Sequence, residues 1–503
     1  MTFDALSGFA ALLHPETLLY LIAGYLMGLV FGAIPGLTAT LAIALLLPFT
    51  FAMEITNALV MVMAIFMSGI YAGSITGIIV NIPGAPSGVI TSLEGYAMMK
   101  RGEGARALGL SALASSLGGM LGAAILMLIA APMSQFALLF RTPDKFSLVL
   151  MAVVTVVIVA KGSIWKSVVA VTIGLMISTV GFDNMVAKGR FDFGSANLIE
   201  GVGLLPAVIG LFAVCELLAQ GGVPRDRLPR TIEFKVTHRQ FIPTWRDIRD
   251  IGFFIYAKSS IIGVLIGMLP GGGAAMASFI AYAEAKRVSK KPEEYGHGSR
   301  EGLSASEAAN NAMCGGAVIP LLTLGIPGDS VTAIVFGVLL IHGIVPGPAL
   351  LAENIDLVSP MFAALFVAAG FVFVSVVLFG PYFIWIARLN RGILYAFIAM
   401  VAMVGTYAST FSIFQMWVAL AIGVFAYVLR VMSYPLVPVL MGIILGPYLE
   451  EYLRRALITH DSNPLIFVTS PLSLSMLILT GVFIYFLRMR PARKARAARA
   501  GGG

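Results

Sequence analysis

Charge is scarce in this sequence. Of 503 residues, 12% are Asp, Glu, Lys or Arg, about half the share of an ordinary soluble domain. With 59% apolar residues and mean hydropathy +0.94, such a chain cannot clothe a water-facing surface, which excludes a soluble globular protein. Cysteine is rarer still. Cys215 and Cys314 both lie in apolar runs and build no disulfide framework. The five histidines (His14, His238, His297, His342, His460) are scattered, with no His-x3-His pair, so the sequence offers no metal centre. No Gly-x4-Gly-Lys-Ser/Thr loop occurs, and Gly162-Ser-Ile-Trp-Lys166-Ser167 lacks the required glycines. That argues against ATP-driven pumping by this chain alone. A Gly-x-Ser-x-Gly elbow is also missing, and no enzyme is expected.

What is abundant is the long apolar run. Runs near the ~20 residues that a bilayer requires recur along the chain, and the reading is an all-α polytopic membrane protein with about 10–13 transmembrane helices in two inverted-topology repeats with broken helices or re-entrant hairpins. The first run has no basic n-region or small-residue cleavage site before it, so it reads as a retained span. Four regions are expected: a first membrane repeat at 1–220, a cytoplasmic connector at 221–250, a second membrane repeat at 251–487 and a basic cytoplasmic tail at 488–503. The connector carries Arg225, Arg227, Arg230, Lys235, Arg239, Arg246 and Arg249. Much of the net charge of +8 therefore sits in short loops and the tail, where positive charge sets orientation. Residues 94–106 read as an exposed loop, basic from 98 onward.

Two Pro-Gly interruptions stand in each half. Gly28-Leu-Val-Phe-Gly32-Ala-Ile-Pro35-Gly36 has the spacing of Gly263-Val-Leu-Ile-Gly267-Met-Leu-Pro270-Gly271, and Asn81-Ile82-Pro83-Gly84 matches Gly325-Ile326-Pro327-Gly328. Proline lacks the N–H that a helix needs and glycine loosens the backbone. Inside a bilayer the freed backbone groups survive only against protein or a polar cavity. Paired breaks in corresponding positions point to a transporter site at a repeat interface. Loop charge adds direction. Residues 49–57 carry Glu54 and no Lys or Arg, whereas 286–301 are basic; 98–106 are basic, whereas 342–357 carry Glu353 and Asp356 and no Lys or Arg. Corresponding loops thus face opposite sides, so the two repeats have inverted topology.

Each break begins a half-helix with unsatisfied N–H groups, a place for a carboxylate. The candidate substrate-binding residues are Pro35, Gly36, Thr38, Asn81, Pro83, Gly84, Ser87, Pro270, Gly271, Gly272, Asn310, Asn311, Pro327, Gly328 and Ser330. Ser278 is a further hydroxyl beside a break. Asp329, Asn311 and Gly325 are the candidates for a coupling cation, Na⁺ or H⁺; Asp329 also suits a helix N-cap. Glu307 reads as solvated near the cytoplasmic surface, and Lys258 as an isolated cation that snorkels or meets an anion.

The chain resembles the large membrane subunit of the tripartite tricarboxylate transporter family, the TctA family. The resemblance spans residues 17–450. It rests on Gly32-Ala-Ile-Pro35-Gly36-Leu37-Thr38, Tyr71-Ala-Gly73-Ser74-Ile75-Thr76, Asn81-Ile-Pro83-Gly84, Glu94-Gly95-Tyr96, Gly267-Met-Leu-Pro270-Gly271, Glu307-Ala-Ala-Asn310-Asn311 and Leu324-Gly-Ile-Pro327-Gly328. Ser306, Glu94 and Lys258 stand where that family often has proline, aspartate and arginine. The resemblance implies the permease of a secondary-active, cation-coupled symport system in a bacterial inner membrane. Its partners there are a small four-span membrane subunit (TctB-like) and a periplasmic solute-binding protein (TctC-like). Substrates are carboxylates such as citrate, and sodium is the usual coupling ion. The rival readings are a passive organic-anion channel and an intramembrane enzyme.

Overall fold

The structure, a computed structural model, describes residues 5–34, 36–160, 162–183, 185–221, 237–383 and 391–485. Pro35, the 222–236 part of the connector and the 488–503 tail lie outside the described residues. In chain order the helices of the first half are α1 (Ala5–Leu12), α2 (Pro15–Ala33), α3 (Ala39–Thr50), α4 (Ile55–Val80), α5 (Val89–Lys100), α6 (Gly104–Ala137), α7 (Thr142–Val159), α8 (Ile164–Ser178) and α9 (Leu204–Val208). A π-helical turn leads from α9 into α10 (Cys215–Gly221). The second half holds α11 (Trp245–Ile251), α12 (Phe253–Gly267), α13 (Gly273–Val288), α14 (Arg300–Leu324), α15 (Ser330–Ile341), α16 (Pro348–Glu353), α17 (Ile355–Phe379), α18 (Arg391–Thr410), α19 (Ile413–Val431), α20 (Leu436–Thr459), α21 (Ile466–Thr469) and α22 (Pro471–Ile484). Among the described residues the sheet structure is one antiparallel hairpin, β1 (Gly181–Asp183) with β2 (Lys188–Arg190).

Seven of these helices are long and apolar enough to cross a bilayer, and six apolar helices of 10–17 residues accompany them. An eighth candidate span is the pair joined at Gly252, bent by 93°. The protein is a polytopic all-α membrane protein.

Two helices form its centre. Along α4 and α14 almost every side chain is buried. Their sequences explain this: Gly69, Gly73 and Gly77 on α4, and Ala308, Ala309, Ala312, Gly315 and Gly316 on α14, let neighbouring backbones approach closely. Hydrogen bonds fix their relative direction. Ser74 donates to Glu307 (2.6 Å), and Asn311 Nδ2 donates to the Met67 carbonyl (3.1 Å). Numbering rises along α14 as it falls along α4, so the two run antiparallel.

Each central helix carries the same companion in the same register. A Cβ added to Gly28 of α2 would lie 2.6 Å from the Ile65 carbonyl, and one on Gly32 would lie 2.4 Å from that of Gly69. On the other side, Gly263 of α12 would meet the Ala309 carbonyl at 2.3 Å and Gly267 that of Met313 at 2.5 Å. The offsets are constant: 263 − 28 = 267 − 32 = 235 for the companion, and 309 − 65 = 313 − 69 = 244 for the central helix. Equivalent helices with equal contacts and opposite direction make two inverted-topology repeats.

In both repeats the chain turns back at the first break. From the level of Gly69, where Ala39 packs (2.7 Å from a Gly69 Cβ), α3 returns toward the start of α4. Likewise α13 returns along α14: Ser278 donates to the Ser306 carbonyl (3.3 Å), and Gly302 faces the Tyr282 ring. The α2–α3 and α12–α13 hairpins therefore enter from opposite ends. The second breaks start from left-handed caps, Asn81 (φ 57°) and Gly325 (φ 70°), which stop α4 and α14. Beyond the first of them α5 ends against the segment that joins α13 to α14, where Arg101 donates to the carbonyls of His297 (2.7 Å) and Gly298 (3.0 Å). At α15's end His342 stands beside the Thr50 backbone of α3.

Candidate functional site

The hairpin tips and the second breaks enclose a cavity of about 550 Å³, within the 300–1,000 Å³ range typical of small-molecule sites. Five helix beginnings line it: Thr38–Thr40 for α3, Pro86 and Ser87 before α5, Gly272–Met276 for α13, Asp329–Val331 for α15, and Pro435–Pro438 for α20. Val156–Ala160, at the end of α7, completes part of the wall. Helix N-termini bring orphan N–H groups and a partial positive charge, so the chamber is electrostatically suited to an anion although it is mostly apolar.

Local sequence explains the positions of the polar groups. Thr38 caps α3 by accepting from Leu41 N (3.2 Å). Asp329 caps α15, accepting from Thr332 N (2.8 Å), while its own N–H donates to Thr332 Oγ1 (2.9 Å). The N-cap role of Asp329 is thus real, and the carboxylate still lines the cavity. Ser330 Oγ lies 3.1 Å from Thr40 Oγ1 and ties the two repeats across the chamber. Ser87 is buried with its hydroxyl unpartnered. Gly271 donates its N–H to the Gly328 carbonyl (2.8 Å), joining the second hairpin tip to the second break, and Gly84 donates to the Gly73 carbonyl (2.9 Å).

A second cavity, about 700 Å³, adjoins the first and shares Thr38, Thr40, Ala85, Pro86, Ser330 and Leu436 with it. Gly36, Pro83, Gly84, Glu216 and Arg430 also line it.

The structure brings together Thr38, Ser87, Gly271, Gly272, Asp329 and Ser330 in the first cavity, and Gly36, Pro83 and Gly84 in the second. The other candidates stand apart from both linings. Asn81 is an exposed helix cap, and Gly325 is the cap of α14. Pro270, Pro327 and Gly328 are buried packing positions; a Cβ on Gly328 would lie 2.5 Å from the Gly267 carbonyl. Asn310 and Asn311 are buried in α14, with both amide atoms of Asn310 and Oδ1 of Asn311 unpartnered. Ser278 is spent on the Ser306 carbonyl.

Three sequence expectations need correction. Residues 94–100 belong to helix α5, not to an exposed loop. Glu94 is buried and accepts N–H groups from Gly296 (2.6 Å), Gly298 (2.8 Å) and Ser299 (2.7 Å), together with the Tyr282 hydroxyl (2.5 Å). Glu307 is fully buried rather than solvated. It receives hydroxyl hydrogen bonds from Ser74 (2.6 Å), Ser115 (2.7 Å) and Thr91. Lys258 is no isolated cation, because Glu284 pairs with it at 2.5 Å and with Arg287 at 2.7 Å.

Arg430 and Glu216 escaped the sequence reading. They stand 214 residues apart and form an ion pair on the second cavity's wall. A weak signal existed: each is a lone charge at the edge of an apolar run.

Residues 18–441 match the model of the "Tripartite tricarboxylate transporter TctA family". Two curated relatives come from Agrobacterium vitis. The chain is 32% identical over 495 residues to the "Uncharacterized 52.8 kDa protein in TAR-I ttuC' 3'region", covering 97% of this chain and 96% of that protein. It is 36% identical over 237 residues to the "Uncharacterized protein in TAR-II ttuC' 3'region", covering 46% of this chain and 96% of that protein. No solved structure matches.

Proposed function

The chain belongs to the tripartite tricarboxylate transporter TctA family, and from that premise we propose that it carries an organic carboxylate across the bacterial inner membrane by cation-coupled alternating access. The supporting observation is the cavity where two inverted repeats meet, lined by five helix N-termini. A tricarboxylate or dicarboxylate such as citrate docks its carboxylates on the N–H groups of α3, α5, α13 and α15. Ser87 and Ser330 supply hydroxyls, and Gly271 and Gly272 admit close backbone approach. Rocking of one hairpin–helix unit against the other exposes the chamber alternately to each side. Na⁺ or H⁺ drives the cycle, with Asp329, Asn311 and the Gly325 carbonyl as candidate contacts. A small four-span membrane subunit and a periplasmic solute-binding protein deliver the substrate, and the latter sets much of the selectivity.

The test is uptake into proteoliposomes holding both membrane subunits and the binding protein. A carboxylate panel is offered with and without a Na⁺ or pH gradient. Saturable uptake that collapses with the gradient is the expected result. Flux that neither saturates nor depends on a gradient means a passive anion channel, and chemical turnover of the panel means an enzyme. Asp329→Asn and Asn311→Ala are each expected to lower uptake by about tenfold or more, the worth of one charged or buried hydrogen bond. Wild-type uptake by both variants removes those two residues from the site.

A further inference from the structure

Glu307 lies about two turns into α14 with no exposed surface. Its two carboxylate oxygens receive three hydroxyl hydrogen bonds, from Ser74 on α4, Thr91 on α5 and Ser115 on α6. No cationic side chain is among these partners. A carboxylate held in hydrocarbon by neutral groups alone is an expensive arrangement, and such residues in membrane proteins mark ion or proton paths. The buried hydroxyl of Tyr71 lies beside Glu307 and Ser111. Asn311 follows one helical turn along the same face, its amide oxygen buried and unpartnered.

We infer that Glu307, with the oxygens of Ser74, Thr91, Ser115, Tyr71 and Asn311, forms a binding site for a monovalent cation, Na⁺ or H⁺, distinct from the carboxylate cavity. The donor set is hard oxygen throughout, which suits an alkali ion or a proton and disfavours soft transition metals. Every donor hydroxyl can turn a lone pair inward once the carboxylate is neutralised. The site is mechanically linked to the cavity. Ser87 lines the cavity, and Thr91 stands one turn further along α5 and touches Glu307. Seating an anion at the start of α5 thus moves a ligand of the cation.

The neighbouring charges are already engaged. On α5, Glu94 is turned to the N–H groups of 296–299 and to Tyr282 of α13. On α6, Arg106 is paired with Asp247 of α11 and with Glu103. On α12, Lys258 is paired with Glu284 of α13, and Tyr256 is buried with its hydroxyl beside Ser304. On α4, Tyr71 is the titratable neighbour.

This inference deepens the coupled-transport reading, so its test omits carboxylate and partner subunits. The thermal unfolding midpoint of the purified full chain in lipid nanodiscs is followed against NaCl, with choline chloride holding ionic strength, and separately against pH from 8 to 6. A Na⁺ site raises the wild-type midpoint saturably with NaCl. A proton site raises it as pH falls, without preference for Na⁺. In either case E307Q abolishes the response, and the milder S115A and T91V raise the half-saturating Na⁺ about tenfold, one ligand's worth, or displace the pH midpoint. A wild-type chain indifferent to both, or an E307Q chain that responds like wild type, overturns the inference. If E307Q does not fold, unchanged responses in S115A and T91V overturn it equally. Loss of the response in E307Q alongside a failed carboxylate panel would leave the cation site standing and sink only the substrate reading.

Discussion

Arg430 is the residue whose chemistry the fold explains best and the linear sequence least. Among the described residues, Asp329 is the sole charge on the first cavity's lining, while Glu216 and Arg430 are the charged pair on the second's. Glu216 is held in turn by Gln220 Nε2 (2.6 Å) on one carboxylate oxygen, and its other oxygen accepts from Arg430. A guanidinium presents a fork matched to a carboxylate. An incoming organic acid can exchange with Glu216 at little net loss, because one carboxylate replaces another. Arg430→Gln is expected to raise the half-saturating substrate concentration about tenfold to a hundredfold, the worth of a charged hydrogen bond. Glu216→Gln should lower it or leave it unchanged. Uptake kinetics at fixed Na⁺ decide. Equal half-saturation in wild type and Arg430→Gln would reduce the pair to a helix-end contact.

Among the elements, the hairpins depend on bare backbone. A Cβ on Gly84 would lie 2.3 Å from the Gly32 carbonyl and 3.0 Å from Gly73 Cα, and one on Gly267 would lie 2.5 Å from the Met313 carbonyl. Because backbone atoms cannot swing aside, Gly84→Ala and Gly267→Ala should each destabilise by about 1–3 kcal/mol, lowering the unfolding midpoint. Gly370→Ala, where nothing lies within 4 Å, should not, and a matching fall in all three would refute the argument. These elements also show what the sequence can disclose. The Gly-x3-Gly-x2-Pro-Gly spacing was legible because glycine and proline act locally on the backbone. Its consequence was legible only as a choice between a broken helix and a re-entrant hairpin, because an apolar leg of about twelve residues such as α3 has no periodicity that tells it from half a span. Glu94 and Glu307 were misplaced for a related reason. Their partners lie on other helices: Gly296, Gly298 and Ser299 for one, Ser74, Thr91 and Ser115 for the other. Nothing local marks a carboxylate that will be buried by distant chain.

At the scale of the whole molecule, inversion makes a claim about sidedness. Helix α5 ends against the segment that joins α13 to α14, so the basic stretches 98–106 and 286–301 meet where Arg101 bridges to 297 and 298. Helices α3 and α15 end together beside 49–57 and 342–357, which contain no Lys or Arg. Since α4 and α14 run antiparallel, these two meeting points lie at opposite ends of the central pair. Positive charge is retained on the cytoplasmic side, so the first end is expected to face the cytoplasm and the second the opposite side of the membrane. The chain's own thiols, Cys215 and Cys314, are buried, and background labelling should be low. Single cysteines at the exposed positions Ala52, Val345, Lys100 and Lys290 then provide the measurement, using a membrane-impermeant maleimide on right-side-out and inverted vesicles. Ala52→Cys and Val345→Cys should react only in right-side-out vesicles, and Lys100→Cys and Lys290→Cys only in inverted ones. Reaction of positions 52 and 290 from one side would mean that the two hairpins enter from the same face. The chamber between them could not then open alternately by the rocking of inverted halves.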